Sequence, residues 1–196
     1  MKIKICGITT LDDARFCATF GLDFIGLVFV PGSPRFVDPG TARLISDEVR
    51  AHSPRTRAVG VFQDAPFDVM RRTAEQAGLD YLQLHGSEPP EIADAIELPV
   101  IKAFVPGVVP DDWSAAAWFL FDHANGGTGR IVDWSLVQPV SSRPFFLAGG
   151  LSAANVVDAI ERVRPDGVDI SSGVEKSPGR KDHALVACFV EKVRSL

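Results

Sequence analysis

Two apolar, strand-like runs of this chain end on a side chain that can move a proton. Lys2-Ile3-Lys4-Ile5 leads into Cys6 and Gly7, and Trp118-Phe119-Leu120-Phe121 leads into Asp122, followed closely by Asn125-Gly126-Gly127-Thr128-Gly129. An ionised thiol takes a proton and a protonated carboxyl gives one. Brought close together, the two strand ends would form an acid/base pair able to shift hydrogen within a substrate. Other polar residues stand at similar places: Gln83 with His85, Asp169 with Ser171, and the pair Gly149-Gly150.

The elements that must position these residues alternate along the chain. Short β-branched or aromatic runs occur at 2–6, 24–30, 57–62, 81–85, 100–104, 118–122, 144–148 and 167–171. Helical patterns lie between them at 11–20, 39–51, 67–77 and 89–97, weakly near 111–117 and briefly near 133–138, then at 152–163 and 182–195. Strands separated by helices can lie parallel, because the crossover helix returns the chain to the same edge. The count of units predicts an α/β fold, a single-domain (β/α)₈ TIM barrel over residues 1–196, with a doubly wound open sheet as the alternative. Thr10 and Ser152 read as helix N-caps, and Gly21 and Gly78 as helix stops.

In such a barrel the site lies at the C-terminal ends of the strands, where Cys6, Gln83, His85, Asp122, Gly149 and Ser171 fall. Side chains alternate along a strand, so Lys4 and Cys6 share a face, as do Gln83 and His85, and Asp169 and Ser171. Their neighbours Ile3, Ile5, Leu82, Leu84, Val168 and Ile170 would then face the helices. That leaves the polar set inside the barrel, where each member needs a partner. Gly149-Gly150 and Ser171-Ser172-Gly173 follow the last two strands and each opens a helical segment, the usual way a barrel offers backbone N–H groups to phosphate. Gly126–Gly129 is a third glycine cluster, either a lid or a further anion-binding loop.

Composition narrows the class of function. The net charge is −5 over 196 residues, with no basic run to track a phosphate backbone, so nucleic acid is not an expected partner. The three cysteines, 6, 17 and 188, are widely spaced and form no zinc or disulfide pattern. A reducing cytoplasm and no metal are expected. The N-terminal segment begins with strand-like alternation, not a signal sequence, and no run approaches the roughly 20 apolar residues of a membrane span. Cys17, in the stripe Ala14, Cys17, Ala18, and Cys188, in the stripe Leu185, Cys188, Phe189, Val193, both read as core.

Six motifs in order carry a more specific likeness. Lys4-Ile5-Cys6-Gly7, Gly32-Ser33-Pro34-Arg35, Leu82-Gln83-Leu84-His85-Gly86, Asp122 with its glycine loop, Ala148-Gly149-Gly150-Leu151, and Val168 to Glu175 with Pro178-Gly179 and Lys181-Asp182 resemble the phosphoribosylanthranilate isomerase family. The likeness spans nearly the whole chain. It implies an Amadori rearrangement of N-(5′-phosphoribosyl)anthranilate in tryptophan biosynthesis, with a small phosphosugar as substrate and no cofactor. It further implies Asp122 as the acid that protonates the furanose oxygen and Cys6 as the base that removes the C2′ proton. Arg35 would hold the anthranilate carboxylate through paired hydrogen bonds, and Gln83, His85 and Asp169 would line the pocket. Asp169 either orients a substrate hydroxyl or pairs with Lys4. Acid and base must be in opposite protonation states at one pH. Asp122 therefore needs its pKa raised by burial, and Cys6 needs its own lowered by nearby positive charge, for which Lys4 is a candidate.

One departure from the family pattern is the shorter stretch His123-Ala124-Asn125 before the glycines. Two rivals remain: another sugar-phosphate isomerase or epimerase on the same scaffold, and a phosphosugar-binding protein without catalysis. Oligomeric state is not legible.

Overall fold

The computed structural model describes residues 1–108, 113–123, 132–137 and 143–196. Eight parallel strands run in sequence order around a ring: β1 (Lys2–Cys6), β2 (Phe24–Val28), β3 (Arg57–Phe62), β4 (Tyr81–Leu84), β5 (Val100–Phe104), β6 (Trp118–Phe121), β7 (Phe145–Leu147) and β8 (Gly167–Ile170). Closure is decided by β1. It pairs with β2 through Lys4 opposite Phe24, and on its other edge with β8 through Lys4 opposite Asp169. The open-sheet alternative is thereby excluded.

Among the described residues six α-helices cover the ring: α1 (Leu11–Thr19), α2 (Pro39–His52), α3 (Phe67–Ala77), α4 (Glu91–Ala95), α5 (Val156–Val163) and α6 (His183–Arg194). Ile3, Ile5, Leu82, Leu84, Val168 and Ile170 pack outward into the helix layer, as the alternation requires. Inward residues form separate clusters. Phe24, Tyr81, Trp118 and Phe146 fill the N-terminal end of the barrel, with Phe24 edge-on to Phe146 at 5.5 Å and Trp118 tilted on Phe146 at 4.7 Å. Rings at these spacings gain about 0.5–1.5 kcal/mol per pair beyond simple burial, so this end is packed shut. The opposite end holds Cys6, Val28 and Val61. Polar groups fill the middle, where Lys4, Gln83 and Asp169 are buried. None of the described helices is long and apolar enough to cross a membrane.

Several local expectations change. Thr10 does cap α1, its side chain accepting the Asp13 N–H, and Gly78 does end α3 in the left-handed conformation. Ser152 caps the turn that leads into α5: its Oγ accepts the Ala154 N–H at 3.3 Å and its carbonyl accepts the Val156 N–H at 3.0 Å. The regular helix starts at Val156, and Asn155 Oδ1 accepts the Ser152 N–H at 2.8 Å, which completes the cap reciprocally. Residues 113–117 form turns in place of the weak helix, while 109–112 lie outside the described residues. The short helix near 133–138 is a 3₁₀ turn, Trp134–Leu136. Cys17 is core, but Cys188 is exposed: the buried stripe of α6 is Val186, Phe189, Val190 and Val193, which keeps Phe189 and Val193 of the expected stripe and replaces Leu185 and Cys188 by Val186 and Val190. A hairpin of β9 (Glu175–Ser177) and β10 (Arg180–Lys181) follows β8.

Candidate active site

Cys6 ends β1 with its thiol in the barrel mouth, packed on Val28 and Val61. Its other neighbour is the backbone of β2. A methyl group on Gly26 would lie 2.6 Å from Cys6 Sγ and 3.0 Å from its Cα, so only glycine lets the thiol lie flat against that strand. Gly26→Ala must push two paired strands apart. We expect a stability loss of about 1–3 kcal/mol, the usual cost of overpacking, read as a lower urea midpoint. An unchanged midpoint would remove this contact from the account.

Below Cys6, Lys4 is wholly buried and donates to both carboxylate oxygens of Asp169 at 3.1 Å. Of the two uses expected for Asp169, pairing with Lys4 is the one observed. Burial alone would lower the Lys4 pKa, but the Asp169 carboxylate and Cys6 outweigh it, so Lys4 is held as an ammonium. Lys4→Met leaves Asp169 as an unpaired interior charge and should cost about 3–5 kcal/mol. Lys4→Met combined with Asp169→Leu removes both charges and should recover most of that loss in the same urea titration. Equal midpoints for the single and double variants would contradict the pairing.

The Lys4 charge does not do to Cys6 what its position suggested. Burial of the thiol is the largest influence and raises its pKa; Lys4 and Lys181 pull it down, Asp169 pushes it up, and the net direction is upward. The expectation of a lowered value is therefore corrected for the ligand-free protein: desolvation wins, and Asp169 cancels part of the ammonium's field. Asp122 follows expectation, its pKa raised chiefly by burial.

Asp122 stands just past β6. Its Oδ1 accepts the His123 N–H at 2.7 Å, and its Oδ2 lies 3.7 Å from His85 Nε2. Gln83 Nε2 lies 3.0 Å from His85 Nδ1, on the far side of the ring. With the Gln83 amide donating, His85 Nδ1 is the acceptor and the proton resides on Nε2, facing Asp122. Burial lowers the His85 pKa, which keeps the ring neutral. Gln83 and His85 thus meet each other, and Gln83 Oε1 is buried with no partner among the described residues.

The two glycine turns follow the last two barrel strands. Gly149 and Gly150 both have positive φ, 81° and 69°, at the end of β7, and their N–H groups find no acceptor among the described residues. A side chain on Gly149 would meet Asp122 Oδ1 at 3.1 Å, which brings this turn against the acid. Ser172–Val174 forms a 3₁₀ turn after β8, and a side chain on Gly173 would run into the Leu151 carbonyl. Ser171 Oγ is buried with no partner among the described residues. Orphaned polar groups of this kind fit a ligand that supplies the missing bonds. Gly126–Gly129 lies outside the described residues.

Arg35 is half-occupied. Glu175 takes its Nε at 2.9 Å and its Nη2 at 2.8 Å in a side-on fork. A guanidinium carries five N–H bonds, so the end-on edge formed by Nη1 and the outer Nη2 hydrogen can still grip a second carboxylate. Glu175 and Lys181 were not singled out by role in the sequence, and no local signal marks their contact with Arg35. Also unforeseen, Asp12, Asp13 and His183 bring ligand-type atoms within 4.8 Å of one another. Asp13 is already committed to the Lys181 N–H and His183 Nε2, and His183 stacks on Phe16 at 4.0 Å.

Comparison with known proteins gives a consistent result. The family model described as N-(5'phosphoribosyl)anthranilate (PRA) isomerase matches residues 3–192. The N-(5'-phosphoribosyl)anthranilate isomerase of Geobacter sp. (strain M21) is 42% identical, with 100% of this chain and 98% of that protein covered. The crystal structure of the Thermus thermophilus enzyme superposes with a TM-score of 0.91 at 36% identity, covering 100% of this chain and 99% of that one. A solved isomerase in complex with reduced 1-(o-carboxyphenylamino)-1-deoxyribulose 5-phosphate gives 0.84 at 38% identity, with both chains fully covered. The chain belongs to the N-(5'-phosphoribosyl)anthranilate isomerase family.

Proposed function

We propose that this family member, acting through residues 1–196 as one catalytic domain, converts N-(5′-phosphoribosyl)anthranilate to 1-(2-carboxyphenylamino)-1-deoxyribulose 5-phosphate with Asp122 as general acid and Cys6 as general base. The observation that carries this reading is the paired environment of the two groups. A buried carboxyl with a raised pKa and a buried thiol stand at the same barrel mouth, and both feel the field of Lys4.

Protonation of the furanose ring oxygen by Asp122 breaks the C1′–O bond and leaves a protonated Schiff base at C1′. The C2′ proton is then acidic, because the electrons of its bond can flow into the iminium. Cys6 removes it to give an enolamine, and tautomerisation yields the ketone, so no electrons are gained or lost overall. The His85 Nε2–H facing Asp122 steadies the carboxylate formed in the first step. The end-on edge of Arg35 holds the anthranilate carboxylate. The Gly149-Gly150 and Ser171-Ser172-Gly173 turns give N–H and hydroxyl donors to the 5′-phosphate. Gln83 and Asp169 complete the floor beneath the sugar.

A cytoplasmic setting, with its reducing thiol pool, would keep Cys6 reduced as this chemistry requires. The purified chain, given phosphoribosylanthranilate generated in situ with a chelator present, should consume the fluorescent conjugate and yield the ketose. A folded protein that binds the reduced product analogue but does not turn over substrate would overturn the reading in favour of a binding protein.

A further inference from the structure

Glu175 lies at the start of β9, its side chain almost wholly buried, and is held by two cations at once. Arg35 grips it through Nε and Nη2, and Lys181 donates to its Oε1 at 2.8 Å. Lys181, on β10 directly opposite Glu175, is fully buried. Its ammonium also donates to the Cys6 carbonyl at 2.6 Å and to the Ser171 carbonyl at 3.2 Å, so its three N–H bonds meet three acceptors. The hairpin therefore fastens Arg35, through one carboxylate and one ammonium, to the peptide of Cys6 and to the strand end that carries Ser171. The stem of Arg35 is confined as well, because a side chain on Gly7 would approach its Cδ to 2.7 Å.

The charges decide what this cluster can do. Arg35 and Lys181 bring two positive charges and Glu175 one negative charge, which leaves one positive charge in a site closed on most sides. Burial pushes the Glu175 pKa up, but its hydrogen bonds and the two cations outweigh that, so it remains a carboxylate. Lys181 has spent every donor. Of the two cations, Arg35 alone retains N–H groups with no acceptor among the described residues, on the edge that points away from Glu175.

We infer that Glu175 is a positioning residue for substrate selection: clamped by Lys181 to the Cys6 strand end, it presents the end-on edge of Arg35 to the aromatic carboxylate at a fixed place relative to the base. This rests on the reading of Arg35 given above. A long side chain held in its binding rotamer loses less freedom when the ligand arrives, so the clamp should appear as affinity for the carboxylate in particular.

The test is binding of two phosphate esters to folded wild type, Glu175→Gln, Arg35→Met and the double variant. One ligand is the reduced product analogue, which carries the carboxylate, and the other is ribulose 5-phosphate, which lacks it. Glu175→Gln should weaken the first about 10-fold and leave the second within about 2-fold. In the Arg35→Met background it should have no further effect, as expected when one residue acts through another. Equal weakening of both ligands would overturn the inference in favour of a purely structural ion pair, and so would an additive loss in the double variant. Arg35→Met that binds the carboxylate ligand normally would instead strike the reading of Arg35, and the inference with it. If Glu175→Gln does not fold, Glu175→Asp keeps the charge but shortens its reach to Arg35, and the same cycle applies.

Discussion

Cys6→Ala should lower kcat about 10²- to 10⁴-fold, the range a positioned general base contributes, while the reduced product analogue still binds. The substitution removes a small buried group beside Val28 and Val61, so the fold should survive and the loss should be chemical. Cys6→Ser should recover little, because a serine hydroxyl ionises far less readily than even a thiol whose pKa burial has raised. Binding measured by titration, beside single-turnover rates, separates the two effects. Loss of binding equal to the loss of rate would mean that Cys6 shapes the pocket without acting on the proton.

Asp122→Asn should be comparably damaging, by about 10²- to 10⁴-fold in kcat, and it should also change the shape of the pH profile. The wild type needs Asp122 protonated and Cys6 ionised. Both pKa values are raised by burial, the first from the carboxylate range and the second from the thiol range. Between them the protonated acid becomes scarcer with rising pH as fast as the thiolate becomes commoner. Activity there is flat, and it falls below the Asp122 pKa and above the Cys6 pKa. Asparagine does not titrate. Residual activity of the variant should therefore rise with pH through the whole interval and level off only above the thiol's pKa. A flat profile like that of wild type would show that the group lost on the alkaline side is not Asp122.

Much of this arrangement was legible because β-branched runs and period-two alternation are local signals. Lys4, Gln83 and Asp169 point inward, and Ile5, Leu82 and Ile170 outward, simply because side chains alternate along strands whose outer face is apolar. Ring closure was less legible. Counting eight units suggested it, whereas the Lys4–Asp169 register across β1 and β8 is what decides it. The β9–β10 hairpin leaves no strand signal, because Glu175-Lys176-Ser177 and Arg180-Lys181 are short, charged and without apolar alternation. Its chief contact, Arg35 with Glu175, joins residues 140 apart in the chain and leaves no local trace. The direction of the Cys6 pKa is decided by magnitude, with burial outweighing the nearby ammonium. Sequence alternation put an ammonium nearby, but it could not weigh that field against complete desolvation or foresee that Asp169 would offset it. Cys188 lies at the edge of the apolar face of α6: the stripe through Phe189 and Val193 is completed by Val186 and Val190, which leaves Cys188 and Leu185 toward solvent.

The assignment of base and acid is tested most directly with substrate carrying deuterium at C2′, followed in single turnovers of wild type, Cys6→Ser and Asp122→Asn. Weakening the base makes removal of the C2′ proton slower relative to ring opening, so the isotope effect in Cys6→Ser should equal or exceed that of wild type. Weakening the acid makes ring opening limiting, so the effect in Asp122→Asn should shrink toward none. The reverse order, with the isotope effect lost in Cys6→Ser and enlarged in Asp122→Asn, would contradict the account and exchange the two roles.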